Sequence, residues 1–108
     1  EISLIYYPNR EGLEDRVYRI KTERSGASTP EPRTTHLISN VELLGENEQG
    51  VEVRYNWVTY NHRYQHTDAW FGSTCVTLTT CDGKPQILRK TVRLNNDYIR
   101  QVIDVYHI

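Results

Sequence analysis

The residues of this chain best suited to chemistry are few: four histidines, two cysteines, and tyrosines and acids scattered among them. His62 and His66 are four apart, and on a helix that spacing would set two imidazoles on one face, as a zinc site requires. The surrounding residues read as strand, where i and i+4 lie about 13 Å apart, too far to share an ion. No Glu follows His62 as in a zinc-protease motif, so both histidines read as surface or interface residues. Cys75 and Cys81 lack the C-x-x-C spacing of zinc and redox sites. On one extended strand they would stand about 20 Å apart, so only a chain reversal between them would allow a disulfide. They read as a small core residue and a turn residue, and suit a reducing cytosol. Tyr55, Tyr64, His66 and Asp68 together hold the groups that an acid–base pocket uses. In a tyrosine-rich sheet such groups are more often a hydrogen-bonded lining or an interface. There is no G-x-S-x-G, P-loop or dinucleotide fingerprint, and no Cys/His spacing fit for an iron–sulfur cluster. The residues therefore nominate no catalytic, cofactor-binding or metal-ligating position in this chain.

The elements that would position these side chains can be read in order. Ile2 to Tyr7 is an apolar lead-in that ends at Pro8, which biases Tyr7 away from the helical region. Asn9 is a plausible N-cap, and Leu13, Val17 and Ile20 form an i, i+4, i+7 stripe. A helix is predicted over residues 10–23, stopping near Ser25-Gly26, with the stripe packed on a sheet. Arg10, Arg16, Arg19, Lys21, Arg24 and Arg33 alternate with Glu11, Glu14, Asp15 and Glu23, which reads as a solvated, ion-paired helix face. Gly26, Ser28, Pro30 and Pro32 mark a loop over 26–33.

From there the pattern turns to strands. Residues 34–44 are β-branched and apolar, and 45–50 form a polar turn. Residues 51–63 form a long strand with Val51, Val53, Tyr55, Trp57 and Thr59 on one side. Glu52, Arg54 and Asn56 face the other side, and Val58 and Tyr60 suggest that this second face is covered at one end. A further strand covers 67–80, with Gly72 marking a bulge or bend. Asp82-Gly83 is a hairpin signal, 86–94 pairs back, and Asn95-Asn96-Asp97 turns the chain again. The tail can be read as a helical stripe (Ile99, Val102, Ile103, Tyr106) or as a strand. The β propensity of Val-Ile-Asp-Val-Tyr favours a strand over 102–107. The sum is one α+β domain over residues 1–108, with a mostly antiparallel sheet of four or five strands and one helix. One amphipathic helix is small cover for such a sheet, so more helix is expected from elsewhere.

Charge and hydropathy exclude several classes. Thirteen basic and 14 acidic side chains interleave to a net charge of −1, which gives no electrostatic argument for nucleic acid or an anionic membrane. No apolar run approaches the ~20 residues needed to cross a bilayer, and no signal peptide is visible. The chain holds no methionine even at position 1, which suggests a processed product or, more simply, the ordered part of a longer polypeptide. Eight tyrosines and two tryptophans can build a sheet core or an interface.

Two stretches carry a family resemblance. One is Glu1-Ile2-Ser3-Leu4-Ile5-Tyr6-Tyr7-Pro8-Asn9-Arg10-Glu11-Gly12-Leu13-Glu14-Asp15-Arg16-Val17. The other is Leu94-Asn95-Asn96-Asp97-Tyr98-Ile99-Arg100-Gln101-Val102-Ile103-Asp104-Val105-Tyr106-His107-Ile108. Between them His36-Leu37-Ile38-Ser39-Asn40-Val41, Arg63-Tyr64-Gln65 and Phe71-Gly72 follow in family order. The chain resembles the small (β) subunits of aromatic-ring-hydroxylating dioxygenases of the benzoate/toluate and anthranilate type. Cys75, Cys81 and the Thr-rich stretch 77–80 depart from that pattern and put the exact substrate group in doubt.

The resemblance implies a cone-shaped fold of the nuclear-transport-factor-2 or cystatin-like kind, with a curled sheet and helices in its concave side. It implies a structural subunit in a cytoplasmic bacterial hetero-oligomer, usually three large and three small subunits, that degrades aromatic compounds. The Rieske 2Fe-2S cluster and mononuclear Fe(II) are expected in the large subunit, and no cofactor in this chain. The ending at Tyr106-His107-Ile108 resembles the family's C-terminus. The start falls inside the family pattern, so the family's N-terminal helices are expected to be missing. The tail 98–108 is apolar on both faces of an extended segment. It is expected, with the tyrosine-rich strand 55–64, to hold subunits together through Tyr55, Trp57, Tyr64, Tyr98, Tyr106, His107 and Ile108. The alternatives are a free-standing acid–base enzyme on the same cone and a dimeric ligand-binding module, since fold alone does not fix function.

Overall fold

In the computed structural model, which describes residues 2–22, 32–99 and 103–108, the chain after Pro8 turns into helix α1 (Arg10–Thr22). Asn9 acts as the cap: its side-chain Oδ1 accepts the Gly12 N–H at 3.2 Å. Arg10 and Glu14 pair one turn apart on the solvent side. The end expected at Ser25-Gly26 and the loop after it lie largely outside the described residues.

Four strands follow: β1 (Arg33–Asn47), β2 (Gly50–Arg63), β3 (His66–Cys81) and β4 (Lys84–Leu94). They form one curved antiparallel sheet in sequence order, β1-β2-β3-β4. Each connection is a two-residue turn, so register is set locally. At the first, the Asn47 side chain accepts the N–H groups of Gln49 and Gly50. The polar run 45–50 was expected to be turn throughout, but β1 continues to Asn47 because Gly45, Glu46 and Asn47 pair with Glu52, Val51 and Gly50. At the third, Asp82 and Gly83 both adopt positive φ, 53° and 75°, as the hairpin signal predicts.

The second turn carries no such signal. Tyr64 (φ 54°) and Gln65 (φ 61°) occupy the left-handed region without glycine or asparagine. Each such residue costs about 1–2 kcal/mol, and the Arg63 guanidinium lies 4.8 Å from the centroid of the Tyr64 ring.

Three irregularities bend the sheet. Asn40 and Val41 together face the single residue between Arg54 and Asn56, and Leu44 is an extra residue between Leu43 and Gly45. Leu88 is an extra residue in β4, opposite the step from Thr77 to Leu78. Gly72, expected at a bulge, instead sits in regular register with Trp57 and Leu94. Its glycine serves a close approach, since a Cβ there would run into the Arg93 carbonyl oxygen.

Alternation along β2 and β3 sorts the faces as expected for β2. Trp57 and Thr59 are buried beside Trp70, Thr74 and Val76 on the inner face. On the outer face Leu37, Tyr60 and Phe71 stay exposed around Val58, so no described residue covers its apolar end.

Two further expectations are corrected. The stripe of α1 is only partly covered within this chain: Leu13 and Val17 are 42% and 40% exposed, Ile20 is half-buried, and no residue of α1 is fully buried. What ties the helix across the molecule is a charge, described below. The tail is not a strand over its described part. Asp104 adopts an extended conformation and caps a short 3-10 turn, Val105–His107. Local side-chain capping wins here over β propensity, because a side chain can satisfy backbone groups that a strand would leave to a partner.

Candidate functional site

The most elaborated cluster of side chains lies where this C-terminal turn meets the inner face of the sheet. The turn is closed from both ends. The Asp104 carboxylate accepts the Val105 N–H at 2.7 Å, and the His107 ring Nδ1 accepts the Asp104 N–H at 2.8 Å. This is the reciprocal logic of a capping box with an imidazole in the role usually held by Glu or Gln. The His107 ring is 2% exposed and lies against Trp70 (centroids 5.0 Å apart) and Tyr106 (4.4 Å).

Arg16 of α1 reaches the same carboxylate across 88 positions of sequence. Its Nε donates to Asp104 Oδ1 at 3.1 Å and its Nη2 donates to Oδ2, a two-point fork. Burial pushes the Asp104 carboxyl up, but the Arg16 hydrogen bond, the Val105 amide and the nearby positive charge outweigh it and hold it below its ordinary range. The Asp104 hydrogen bond in turn raises the Arg16 guanidinium against the desolvation that would lower it. Burial lowers His107, only partly opposed by Asp104, its backbone hydrogen bond and Asp68.

Beneath the turn the inner face is unusually polar. Thr59 and Asn61 are fully buried, and Trp57 and Trp70 nearly so. Trp57 Nε1, Thr59 Oγ1, Asn61 Oδ1 and Trp70 Nε1 have no hydrogen-bond partner among the described residues. Further along this face, opposite Val76, Lys90 is held below the ordinary lysine range by desolvation, although part of its side chain reaches solvent. At the neighbouring sheet margin, Asn96 continues the ladder where β4 has ended. Its side chain accepts the Phe71 N–H and donates to the Ala69 carbonyl, both at 3.0 Å. Asp68, Ala69, Trp70, Asn96 and Tyr98 line a shallow cleft there.

The positions nominated from sequence scatter. Trp57 and His107 are buried within the chain, and Tyr55, Tyr106 and Ile108 are half-buried. Tyr64 and Tyr98 are exposed. Of the groups of the imagined acid–base pocket, Tyr55 is on the inner face and Tyr64 is in a turn, while His66 and Asp68 meet at 3.1 Å. His62 pairs with Thr67 and His66 with Arg63, so the two histidines project from opposite faces of one hairpin. His62 Nδ1 lies 2.7 Å from the Thr67 hydroxyl. Among the described residues no three His, Cys, Asp or Glu side chains gather to hold an ion, so these residues do not fit an iron or a cluster. Cys75 and Cys81 are free thiols, half-buried and exposed. Arg16 and Asp104 escaped the sequence reading, because nothing in the local pattern links residues so far apart.

Among the described residues a curved four-stranded antiparallel sheet and one α-helix make an α+β domain. The family described as "Ring hydroxylating beta subunit" matches residues 1–101, and the chain belongs to that family. It is 58% identical over its full length to the toluate 1,2-dioxygenase subunit beta of Pseudomonas putida, spanning 67% of that protein. It is 57% identical over 99% of its length to the 2-halobenzoate 1,2-dioxygenase small subunit of Burkholderia cepacia, spanning 65% of it. The crystal structure of the benzoate 1,2-dioxygenase beta subunit from Burkholderia mallei superposes with a TM-score of 0.86 at 50% identity, over 99% of this chain and 70% of that one. The chain thus spans about two thirds of the length of the relatives it matches. Among the described residues, no helix is long and apolar enough to cross a membrane.

Proposed function

We propose that this chain is the core of the small, structural subunit of a bacterial ring-hydroxylating oxygenase acting on a benzoate-like aromatic acid. The observation that carries the reading is agreement at two levels: identity above one half to small subunits named for toluate and 2-halobenzoate, and the same fold as a benzoate dioxygenase beta subunit. In this reading a large subunit holds the Rieske cluster and the mononuclear iron. That subunit adds dioxygen to the ring, and the small subunit braces it in a cytoplasmic assembly of three large and three small chains. In this reading the described residues of this chain supply no ligand and no acid–base pair to that chemistry. Their part is to keep a sheet in shape and to present aromatic surface. Tyr64 and Tyr98, both well exposed, are the best placed of the nominated interface residues to meet another subunit. Exposed aromatic side chains suit that role.

The test is co-expression of the complete small subunit with its genomic neighbour large subunit. A defined hetero-oligomer by light scattering, with turnover of benzoate that needs both chains, is the expected result. Turnover by the small subunit alone, or failure to associate with any iron-bearing chain, overturns the proposal.

A further inference from the structure

We infer that the C-terminal turn is a proton-operated latch: with His107 neutral it clamps residues 104–108 to the sheet and to α1, and protonation of His107 at Nδ1 opens it. This stands apart from the oxygenase assignment and rests on the wiring of the turn. Nδ1 accepts the Asp104 N–H at 2.8 Å, so its lone pair is in use and the ring proton sits on Nε2. A further proton can go only to Nδ1, where it sets one N–H against another. The ring is 2% exposed and held against Trp70 and Tyr106, so it cannot turn away without unseating the chain end.

The neighbours that favour the cation, namely the Asp104 charge, the Asp104 backbone and Asp68, only partly offset burial. On the turn itself, both oxygens of Asp104 are already bonded, to Arg16 of α1 and to the Val105 N–H. From β3, Asp68 favours the cation but is engaged with His66. From β1, His36 opposes it. β2, against which the turn packs, presents the uncharged Thr59 and Asn61 on this face, with Arg63 next along it. Burial leaves the His107 pKa below its ordinary 6.5. The neutral ring's contribution is therefore complete above 6.5 and is lost as pH falls from there toward the folded value. Because Asp104 is the shared acceptor, opening the turn also loosens the hold of Arg16 on α1.

The experiment uses the complete subunit with ring-15N histidine. Nitrogen chemical shifts report the His107 tautomer, and amide hydrogen exchange at Asp104 reports the latch between pH 8 and 5. The comparison variant is His107→Gln, whose side-chain carbonyl can still accept the Asp104 N–H but does not titrate. Expected are an unprotonated Nδ1 at pH 7 and a protection factor at Asp104 that falls by up to about tenfold per pH unit below the onset. Amides of β2 and β3 should stay protected, and H107Q should hold its Asp104 protection across the range. The inference is overturned by a protonated Nδ1 at pH 7, by Asp104 protection unchanged down to pH 5, by loss of β2 and β3 protection in step with it, or by H107Q opening as the native protein does.

Discussion

Cutting the link between α1 and the C-terminus tests whether one ion pair does the work that the apolar stripe of the helix was expected to do. Asp104 presents a carboxylate only 9% exposed, and the Arg16 side chain is 32% exposed. Exposed pairs contribute at most about 1 kcal/mol, whereas removing one partner of a buried pair costs about 3–5 kcal/mol. A buried acid met by a third-exposed guanidinium falls between, so Arg16→Met, which keeps most of the apolar stem, is expected to destabilise by about 2–3 kcal/mol. Asp104→Asn retains one side-chain oxygen for the Val105 N–H but loses the charge and the Oδ2 acceptor of the Arg16 fork, for a loss of about 2–3 kcal/mol. Urea unfolding of both single variants and the double variant should give a coupling energy of about 1–2 kcal/mol. Because the folded Asp104 pKa lies below its ordinary 3.8, the contribution of the pair is whole above that value. It is lost as pH falls through the folded value, so native and R16M should converge in strong acid. A coupling under about 0.5 kcal/mol at pH 7, in the range of exposed pairs, would refute the reasoning.

Other expectations follow from single positions. Gly72→Ala forces a Cβ against the Arg93 carbonyl and should lower stability by more than about 2 kcal/mol, or split β4 from β3, readable by urea midpoint and exchange of β4 amides. Gln65→Gly relieves a left-handed residue (φ 61°) and should raise the urea midpoint by about 1 kcal/mol equivalent; no gain would mean that the turn repays its strain elsewhere. Cys81, exposed, should react with a thiol reagent well before half-buried Cys75, and equal rates would contradict the register of β3. Tyr98→Ala should leave the isolated subunit's stability within about 0.5 kcal/mol of native, as surface changes do, while weakening assembly with a large subunit in light scattering.

How much of this was legible depended on how local its cause is. The four strands and the Asp82-Gly83 hairpin could be read because alternation and turn chemistry act over a few residues. The cap at Asn9 is equally local. The hairpin at Tyr64-Gln65 carries no glycine, so its position showed only as a gap between two strand patterns. The bulges at Asn40 and Leu88 left no trace, since an extra residue in a β-branched run looks like more strand. The tail failed for a different reason. Propensity favoured a strand, but Asp104 and His107 three apart could close a capped turn on themselves. That spacing was a usable signal had histidine been allowed the role of the N3 acceptor. The Arg16 fork was beyond any local reading.

The apolar core helps explain why a scaffold of this kind would exist as a subunit. Among the described residues only Trp57, Trp70 and Val76 are buried hydrophobics, while Leu43, Ile38 and Ile87 on the inner side and Leu37 and Phe71 on the outer stay exposed. A net stability of about 5–15 kcal/mol is the residue of far larger opposing terms, and three buried side chains contribute little toward it. The four inner-face polar atoms without a partner among the described residues point the same way, since a buried donor or acceptor left unpaired costs about 1–3 kcal/mol. A sheet so thinly covered gains most from whatever is laid against it, because anything that binds the folded state alone raises its stability by mass action. Exposed apolar side chains on both faces and an α1 stripe largely open to solvent are together the physical profile of a part made to be completed by its neighbours.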